Sequence, residues 1–318
     1  MLVLVAGAYA AYFVYRPLTP PRSPFDFTVR NGSSLKAVAR QLHDEGLFAE
    51  PFGFWLLGRA LGRAGSIQAG TYRLDGPITA TDLLDKLARG DVVFIEIGFI
   101  EGTTWRQWVD QLKANPRVKH TIAGRSPEEL VAVLGISEKS AEGWLFPDTY
   151  RFAPGVSDVD ILKHAHATMK KRLADAWAGR DPKVALATPY EALVLASIVE
   201  KETAVAAERP LVASVFLNRL RVGMRLQTDP TVIYGMGMSF DGNIRKKDLL
   251  ADTPWNTYTR DGLPPTPIAM PGNAAILASL HPAESDFLYF VARGDGSHQF
   301  SKSLEEHNRA VARFQLKK

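Results

Sequence analysis

The spacing of apolar residues after residue 24 predicts short strands alternating with amphipathic helices. Phe25 to Val29 alternates with a period of two, as in a strand, and Asn31-Gly32 is a turn signal. Ser33-Ser34 can cap a following helix that places one apolar face inward. Further segments follow the same pattern: helices over residues 52–61 and 79–88, and strands over residues 70–74 and 92–100. These elements predict an α+β fold.

A helix is predicted to begin at about residue 189. Thr188 at the cap, Pro189 at the first helical position and Glu191 three residues after the cap form a capping-box pattern. At about 100° per residue, Glu200 shares a face of this helix with Leu193, whereas a residue two positions further on lies about 160° away. Glu200 and Glu202 therefore do not form a facing pair.

The face that carries Glu200 is otherwise small or apolar, which makes Glu200 a candidate general acid. A carboxylate that loses solvation has a raised pKa, and an acid that works near neutrality needs one. The alternative is structural: Glu200 closes the helix and pairs with an arginine of the next helix, for example Arg219.

Composition and charge limit the functional classes. The chain has 318 residues, with 38 Lys and Arg against 34 Asp and Glu, and no segment concentrates the basic residues. Nucleic acid binding is not expected, because it needs a concentrated basic face. The chain has no cysteine, and His164 and His166 lie on different sides of a predicted helix. No metal site and no cofactor are expected.

The N-terminus predicts a single membrane anchor. Residues 1–15 contain no charge, and Arg16 and a proline-rich linker follow. A helix of this length reaches roughly 22 Å, which is short of a bilayer core of about 30 Å, so the anchor would begin before this start site. A buried helix and a cleaved signal are the alternatives. Residues 1–24 are thus predicted to form an anchor and linker.

Long motifs of the second half are similar to those of the endolytic murein transglycosylases, the YceG-like family. The resemblance rests on these stretches in order: Glu142-Gly-Trp-Leu-Phe-Pro-Asp-Thr-Tyr150, Ala196-Ser-Ile-Val-Glu-Lys-Glu-Thr203, Leu226-Gln-Thr-Asp-Pro-Thr-Val-Ile-Tyr-Gly235, Asn256-Thr-Tyr258, Gly262-Leu-Pro-Pro-Thr-Pro-Ile268, Tyr289-Phe-Val-Ala292 and Gly296-Ser-His298. The resemblance extends over essentially the whole chain after the linker.

The resemblance implies a lyase that cuts peptidoglycan glycan strands between N-acetylmuramic acid and N-acetylglucosamine and leaves 1,6-anhydromuramyl ends. It implies Glu200 as the single catalytic acid and base. It also implies an inner-membrane protein with a periplasmic catalytic domain, acting on nascent strands beside peptidoglycan synthases. The predicted substrate-binding residues are Glu142, Asp148, Gln227, Thr228, Asp229, Asn256 and Tyr258.

Two further functions stay open at this stage. The first is an ordinary muramidase, with Asp229 as a second carboxylate, because a hydrolase needs two such groups. The second is a non-catalytic scaffold that binds the cell wall. Residues 25–92 resemble LysM modules, small glycan-binding domains in which a helical pair lies between two strands, so we expect a LysM-like subdomain there. Residues 93–318 are then the predicted catalytic domain.

Overall fold

A computed structural model of the protein describes residues 14–316. Most of the predicted membrane anchor, residues 1–13, lies outside the described residues. Across residues 14–316, no helix combines the length and the apolar character that a membrane crossing requires.

The described chain is a mixture of helices and small two-stranded sheets, as the α+β prediction states. Strands pair as β1 with β2, β3 with β4 and β5 with β6. The elements in chain order are β1 (Phe25–Val29), α1 (Leu35–Asp44), α2 (Phe52–Ala60), β2 (Gly70–Leu74), α3 (Ala80–Arg89), β3 (Ile95–Gly98), α4 (Trp105–Ala114), α5 (Pro127–Leu134), β4 (Thr149–Phe152), α6 (Asp158–Ala178), α7 (Pro189–Glu202), α8 (Arg209–Arg221), α9 (Asp229–Met236), α10 (Lys246–Leu250), α11 (Asn273–Leu280), β5 (Tyr289–Ala292), β6 (His298–Ser301) and α12 (Leu304–Phe314).

The described residues divide into two compact units: residues 14–96 with Arg151–Gly155, and Ile97–Tyr150 with residues 156–316. In the first unit, β1 and β2 form an antiparallel pair in which Phe27 lies opposite Tyr72. Their rings stack with centroids 5.5 Å apart. Helices α1, α2 and α3 add the remaining core side chains. A predicted LysM-like domain ending at residue 92 stays a prediction.

Helix α7 is the centre of the second unit. Its residues from Ala192 to Val199 are all buried, because the helix packs against α6, α8, α9 and α11. A helix that is apolar on every side belongs in a core. Thr188 caps its first turn by accepting a hydrogen bond from the Glu191 amide, at 3.2 Å, and Pro189 occupies the first position as predicted. The charged C-terminal end of α7 is therefore held in one fixed place.

Candidate active site

Glu200 lies at the end of the buried part of α7, and both of its oxygens are engaged. One accepts the Gly272 N–H at 2.9 Å, and the other lies 3.6 Å from the Arg209 guanidinium. Its side chain is only 6% exposed. Burial raises the pKa of Glu200, while the Gly272 hydrogen bond lowers it. The Glu101 carboxylate, which lies against Gly272, raises it further.

The arginine beside Glu200 is thus Arg209, at the start of α8. The sequence alternative named Arg219, which is found on the other side of the end of α7, near Glu202. Glu200 consequently connects α7 to the starts of α8 and α11. That arrangement is compatible with a structural role as well as with acid chemistry.

Glu202 lies on a cleft of about 460 Å³ in the second unit. The Thr228 hydroxyl donates a hydrogen bond to one carboxylate oxygen. Burial raises the pKa of Glu202 to about 7, and the nearby Asp229 carboxylate adds to the rise. The Thr228 hydrogen bond and the charges of His298 and Arg219 act in the opposite direction. Burial thus raises the pKa of both Glu200 and Glu202, and of the two only Glu202 is among the described residues that line the cleft.

The predicted loop residues Gln227, Thr228 and Asp229 meet at this cleft and line it together with Glu202. Gln227 is exposed and has φ of 48°, a left-handed conformation that is uncommon outside glycine. The Gln227 and Thr228 amides donate to the carbonyl and hydroxyl of Thr257, at 3.2 and 3.1 Å. The loop is therefore fixed at the cleft rather than free.

Tyr258 also lines the cleft, and its hydroxyl donates to an Asp229 oxygen at 2.6 Å. Asn256 is fully buried and is not among the described residues that line the cleft. Its amide donates to the carbonyls of Leu249 and Ala251 at 3.0 and 2.7 Å, and its oxygen accepts the Tyr258 amide at 2.8 Å. Asn256 thus sets the position of Tyr258, and direct substrate contact by Asn256 stays a prediction.

Asn256→Ala is expected to lower the free energy of unfolding by about 2 kcal/mol, because it removes the hydrogen bonds that a fully buried amide makes to the chain around it. Thermal unfolding of the purified protein measures the loss. Tyr258→Phe is the control, since it removes only the hydroxyl that reaches Asp229. Unchanged stability with a raised KM in Asn256→Ala would contradict this and favour direct substrate contact.

Glu142 and Asp148 are not among the described residues that line the cleft. Glu142 is 3% exposed, and it accepts the Trp105 amide at 3.0 Å and the Tyr234 hydroxyl at 3.1 Å. Burial raises its pKa to about 7, although these hydrogen bonds lower it. Asp148 is exposed, and its side chain accepts the amide of the next residue, Thr149, at 2.7 Å. Substrate binding by both residues stays a prediction.

Sequence reasoning did not select several residues of the cleft. The cleft is also lined by Arg219, Tyr289, His298 and His307. Tyr289 and His298 belong to the motifs that carry the family resemblance. These motifs could therefore have identified both residues as candidates for the site. Within residues 14–316, no group of three His, Asp or Glu residues is placed to hold a metal ion.

Comparisons with known proteins place the site in a family context. The chain is 32% identical over 311 residues to an endolytic murein transglycosylase of Bacillus subtilis, with 92% of this chain and 85% of the relative covered. It is 28% identical over 350 residues to an endolytic murein transglycosylase of Streptococcus pneumoniae, with 98% of this chain and 63% of the relative covered.

A crystal structure of a yceG-like protein from Listeria monocytogenes superposes with a TM-score of 0.57 at 30% identity, covering 90% of this chain and 98% of that chain. The family model described as the YceG-like family matches residues 27–313, a range that includes Glu200, Glu202 and nearly all of the cleft. The chain therefore belongs to the YceG-like family.

Proposed function

We propose that this protein is an endolytic murein transglycosylase, a lyase that cuts peptidoglycan glycan strands between N-acetylmuramic acid and N-acetylglucosamine. Its relatives in Bacillus subtilis and Streptococcus pneumoniae carry that name. The observation that carries the proposal is Glu202, a half-buried carboxyl group with a pKa of about 7 on the wall of a polar cleft.

Glu202 is the acid that the geometry favours over Glu200. One Glu202 oxygen accepts from Thr228, and within residues 14–316 no hydrogen bond engages the other. That oxygen is available to carry a proton to a glycosidic oxygen. Glu200, in contrast, uses one oxygen for Gly272 and turns the other toward Arg209. The sequence prediction of Glu200 remains the alternative, and substitution of each glutamate in turn distinguishes the two.

A single carboxyl group is sufficient for a lyase of this kind. The protonated Glu202 gives its proton to the departing glycosidic oxygen, and the bond to the anomeric carbon of the muramic acid breaks. The resulting carboxylate then takes the proton of the same sugar's C6 hydroxyl as that oxygen bonds to the anomeric carbon. The acid is regenerated, and no water is consumed.

Polar groups around Glu202 are placed to orient a sugar. Gln227 is exposed on the cleft, and Asp229 and Tyr258 are tied together by the hydrogen bond between them. Because the loop is already fixed, its polar groups lose little conformational entropy when substrate binds. We assign Gln227 and Asp229 to sugar hydroxyls and Tyr258 to the positioning of Asp229.

Hydrolysis is the second candidate function, and Asp229 is the observation that favours it. Asp229 shares the cleft with Glu202, and its charge acts on the Glu202 pKa. Most glycoside hydrolases use two carboxyl groups that line the same cleft. The two reactions differ in whether water enters the product.

The test is mass spectrometry of the products formed from purified uncrosslinked glycan strands by the full-length chain, in ordinary and in heavy-oxygen water. We expect anhydromuramyl ends without heavy oxygen, and the same ends at a lower rate from Asp229→Asn. Reducing ends that contain heavy oxygen and disappear in Asp229→Asn would establish a hydrolase. Binding of strands without any cleavage would establish a scaffold.

We also propose a cellular location for the enzyme and a role for its first subdomain. The uncharged residues 1–15 would anchor it in the inner membrane with the cleft in the periplasm, where nascent strands leave the peptidoglycan synthases. The order β1, α1, α2 and β2, with the two strands antiparallel, supports a LysM-like fold for residues 25–92. That subdomain would hold the strand that the second unit cuts.

A further inference from the structure

His298, which lines the cleft, forms a doubly hydrogen-bonded pair with the Glu208 carboxylate. One Glu208 oxygen accepts the backbone N–H of His298 at 2.9 Å, and the other lies 2.7 Å from the ring nitrogen Nδ1. Each side chain is 13% exposed. Glu208 closes the short 3-10 helix Ala206–Glu208 that follows α7, and His298 opens β6. The pair therefore joins the segment that follows α7 to the start of β6.

The contact fixes both the charge of Glu208 and the orientation of the His298 ring. Burial alone would raise the pKa of Glu208, but the hydrogen bonds and charge of His298 outweigh it and hold that pKa below its usual range. A carboxylate oxygen only accepts hydrogen bonds, so Nδ1 carries a hydrogen. The edge of the ring contacts Phe290 in a T-shaped arrangement, with centroids 5.4 Å apart. Among residues 14–316, no hydrogen bond to Nε2 is found, and the side chain lines the cleft.

Other charged groups also face Glu202. Asp229 from α9 raises the pKa of Glu202, and Arg219 from α8 lowers it, as does His298 from β6. Tyr258 lies close enough for the Glu202 charge to act on it, and His307 of α12 lies close to Arg219. The Arg219 guanidinium is committed to the carbonyls of Leu288 and Leu226, at 2.7 Å each. Arginine stays charged at every working pH, whereas histidine changes charge near neutrality.

We propose that His298, held by Glu208, is a positioning residue for Glu202: its imidazolium stabilises the Glu202 carboxylate that exists between the two halves of the reaction. In the first half Glu202 gives its proton to the glycosidic oxygen, and the new negative charge faces the His298 cation. In the second half the carboxylate recovers a proton from the C6 hydroxyl. His298 exchanges no proton with the substrate. This inference rests on the proposed function, with Glu202 as the acid.

The test compares His298→Gln and His298→Lys in the full-length chain, by the pH dependence of kcat on purified glycan strands between about pH 5 and 9. Removing the cation in His298→Gln lets Glu202 keep its proton to higher pH. The alkaline limb of the profile is therefore expected to move up by about half to one pH unit, with kcat reduced about 10-fold at neutrality. A permanent cation in His298→Lys is expected to return the limb to the wild-type position or below it.

The alkaline limb is expected to move in opposite directions in His298→Gln and His298→Lys. A purely structural role of His298 would lower activity in both variants without moving the limb. Glu208→Gln should move the limb in the same direction as His298→Gln, and the double variant should match His298→Gln alone, because the two residues act as a unit. The exposed His120, changed to Gln, is the control for losing a histidine. Far-UV circular dichroism confirms that each variant is folded.

The outcomes also separate this inference from the proposed function. If Glu202→Gln is inactive and the limb stays in place in both His298 variants, His298 has no such role while the acid assignment stands. If Glu202→Gln keeps wild-type activity, the acid is elsewhere, and both the assignment of Glu202 and this inference fail, while the products of cleavage still decide whether the protein is a lyase. A rise in KM with an unmoved limb in His298→Gln would overturn the inference and leave His298 as a sugar-binding group.

Discussion

Glu202→Gln is expected to lower kcat for strand cleavage by about 10²- to 10⁴-fold, the contribution of a general acid and base. The amide keeps the size of the side chain and can still accept the Thr228 hydroxyl, so strand binding should change little. The substitution removes the one proton that passes to the glycosidic oxygen and returns from the C6 hydroxyl. Single-turnover release of anhydromuramyl ends measures the loss apart from binding and product release.

Glu200→Gln is the matched variant on the same helix, and it tests the acid that the sequence predicts. Its amide can keep the Gly272 hydrogen bond but gives up the charge that faces Arg209. We expect a loss of activity that is at least 10-fold smaller than in Glu202→Gln, accompanied by a lower melting temperature. If Glu200→Gln is inactive at wild-type stability while Glu202→Gln keeps its activity, the sequence prediction of Glu200 is right and our assignment is wrong.

The order and type of the elements could be predicted from local signals. β1 and β2 have the predicted bounds, because period-two alternation between turn residues is a strong strand signal. Gly90 ends α3 in a left-handed conformation with φ of 68°, as its position after the helix indicates. The predicted strand over residues 92–100 is shorter, Ile95–Gly98.

The candidate site was harder to predict because all residues of α7 from Ala192 to Val199 are buried, whichever side of the helix they lie on. Periodicity correctly separates Glu200 from Glu202 around the helix, and the two have different partners. Periodicity identifies the buried face of a helix as the one that carries the apolar residues. In α7 apolar residues are buried on opposite faces, so periodicity does not choose between them. Which side opens onto a cleft depends on Thr228 and His298, which are 26 and 96 positions along the chain from Glu202. Contacts over such separations leave no trace in local spacing.

Asn256 illustrates the same limit. A polar residue in a loop is a reasonable candidate for substrate binding, because loops usually lie on the surface. Here the Asn256 side chain is buried, and its amide donates hydrogen bonds to carbonyls of its own segment of the chain. The residue type was informative about hydrogen bonding, but the sequence could not say whether the partner is a sugar or the chain itself.

Glu142→Gln is expected to make the protein more stable at alkaline pH. The unfolded chain releases the Glu142 proton near its ordinary pKa of 4.5, whereas burial raises the pKa to about 7 in the folded protein. The folded state therefore binds the proton more tightly, and this stabilisation is complete below about pH 4.5. It is lost as the pH rises through 7, because the carboxylate must then be buried with its charge. At about 1.36 kcal/mol per pH unit, the interval corresponds to about 3 kcal/mol.

The neutral amide that Glu142→Gln introduces carries no such cost at any pH. The measured quantity is therefore the difference between the variant and the wild type in the free energy of unfolding, obtained with denaturant from about pH 5 to 9. We expect a difference of less than about 1 kcal/mol at pH 5 and of about 3 kcal/mol in favour of Glu142→Gln at pH 9.

Glu305→Gln, at a carboxylate that is 82% exposed, controls for the loss of one negative charge. Because Glu202 titrates in the same range in both proteins, the subtraction cancels its contribution. A difference that stays constant with pH would mean that Glu142 is already ionised at pH 5. The hydrogen bonds from Trp105 and Tyr234 would then lower the Glu142 pKa by more than burial raises it. Glu142 would in that case be a charged residue that accepts a hydrogen bond from the start of α4.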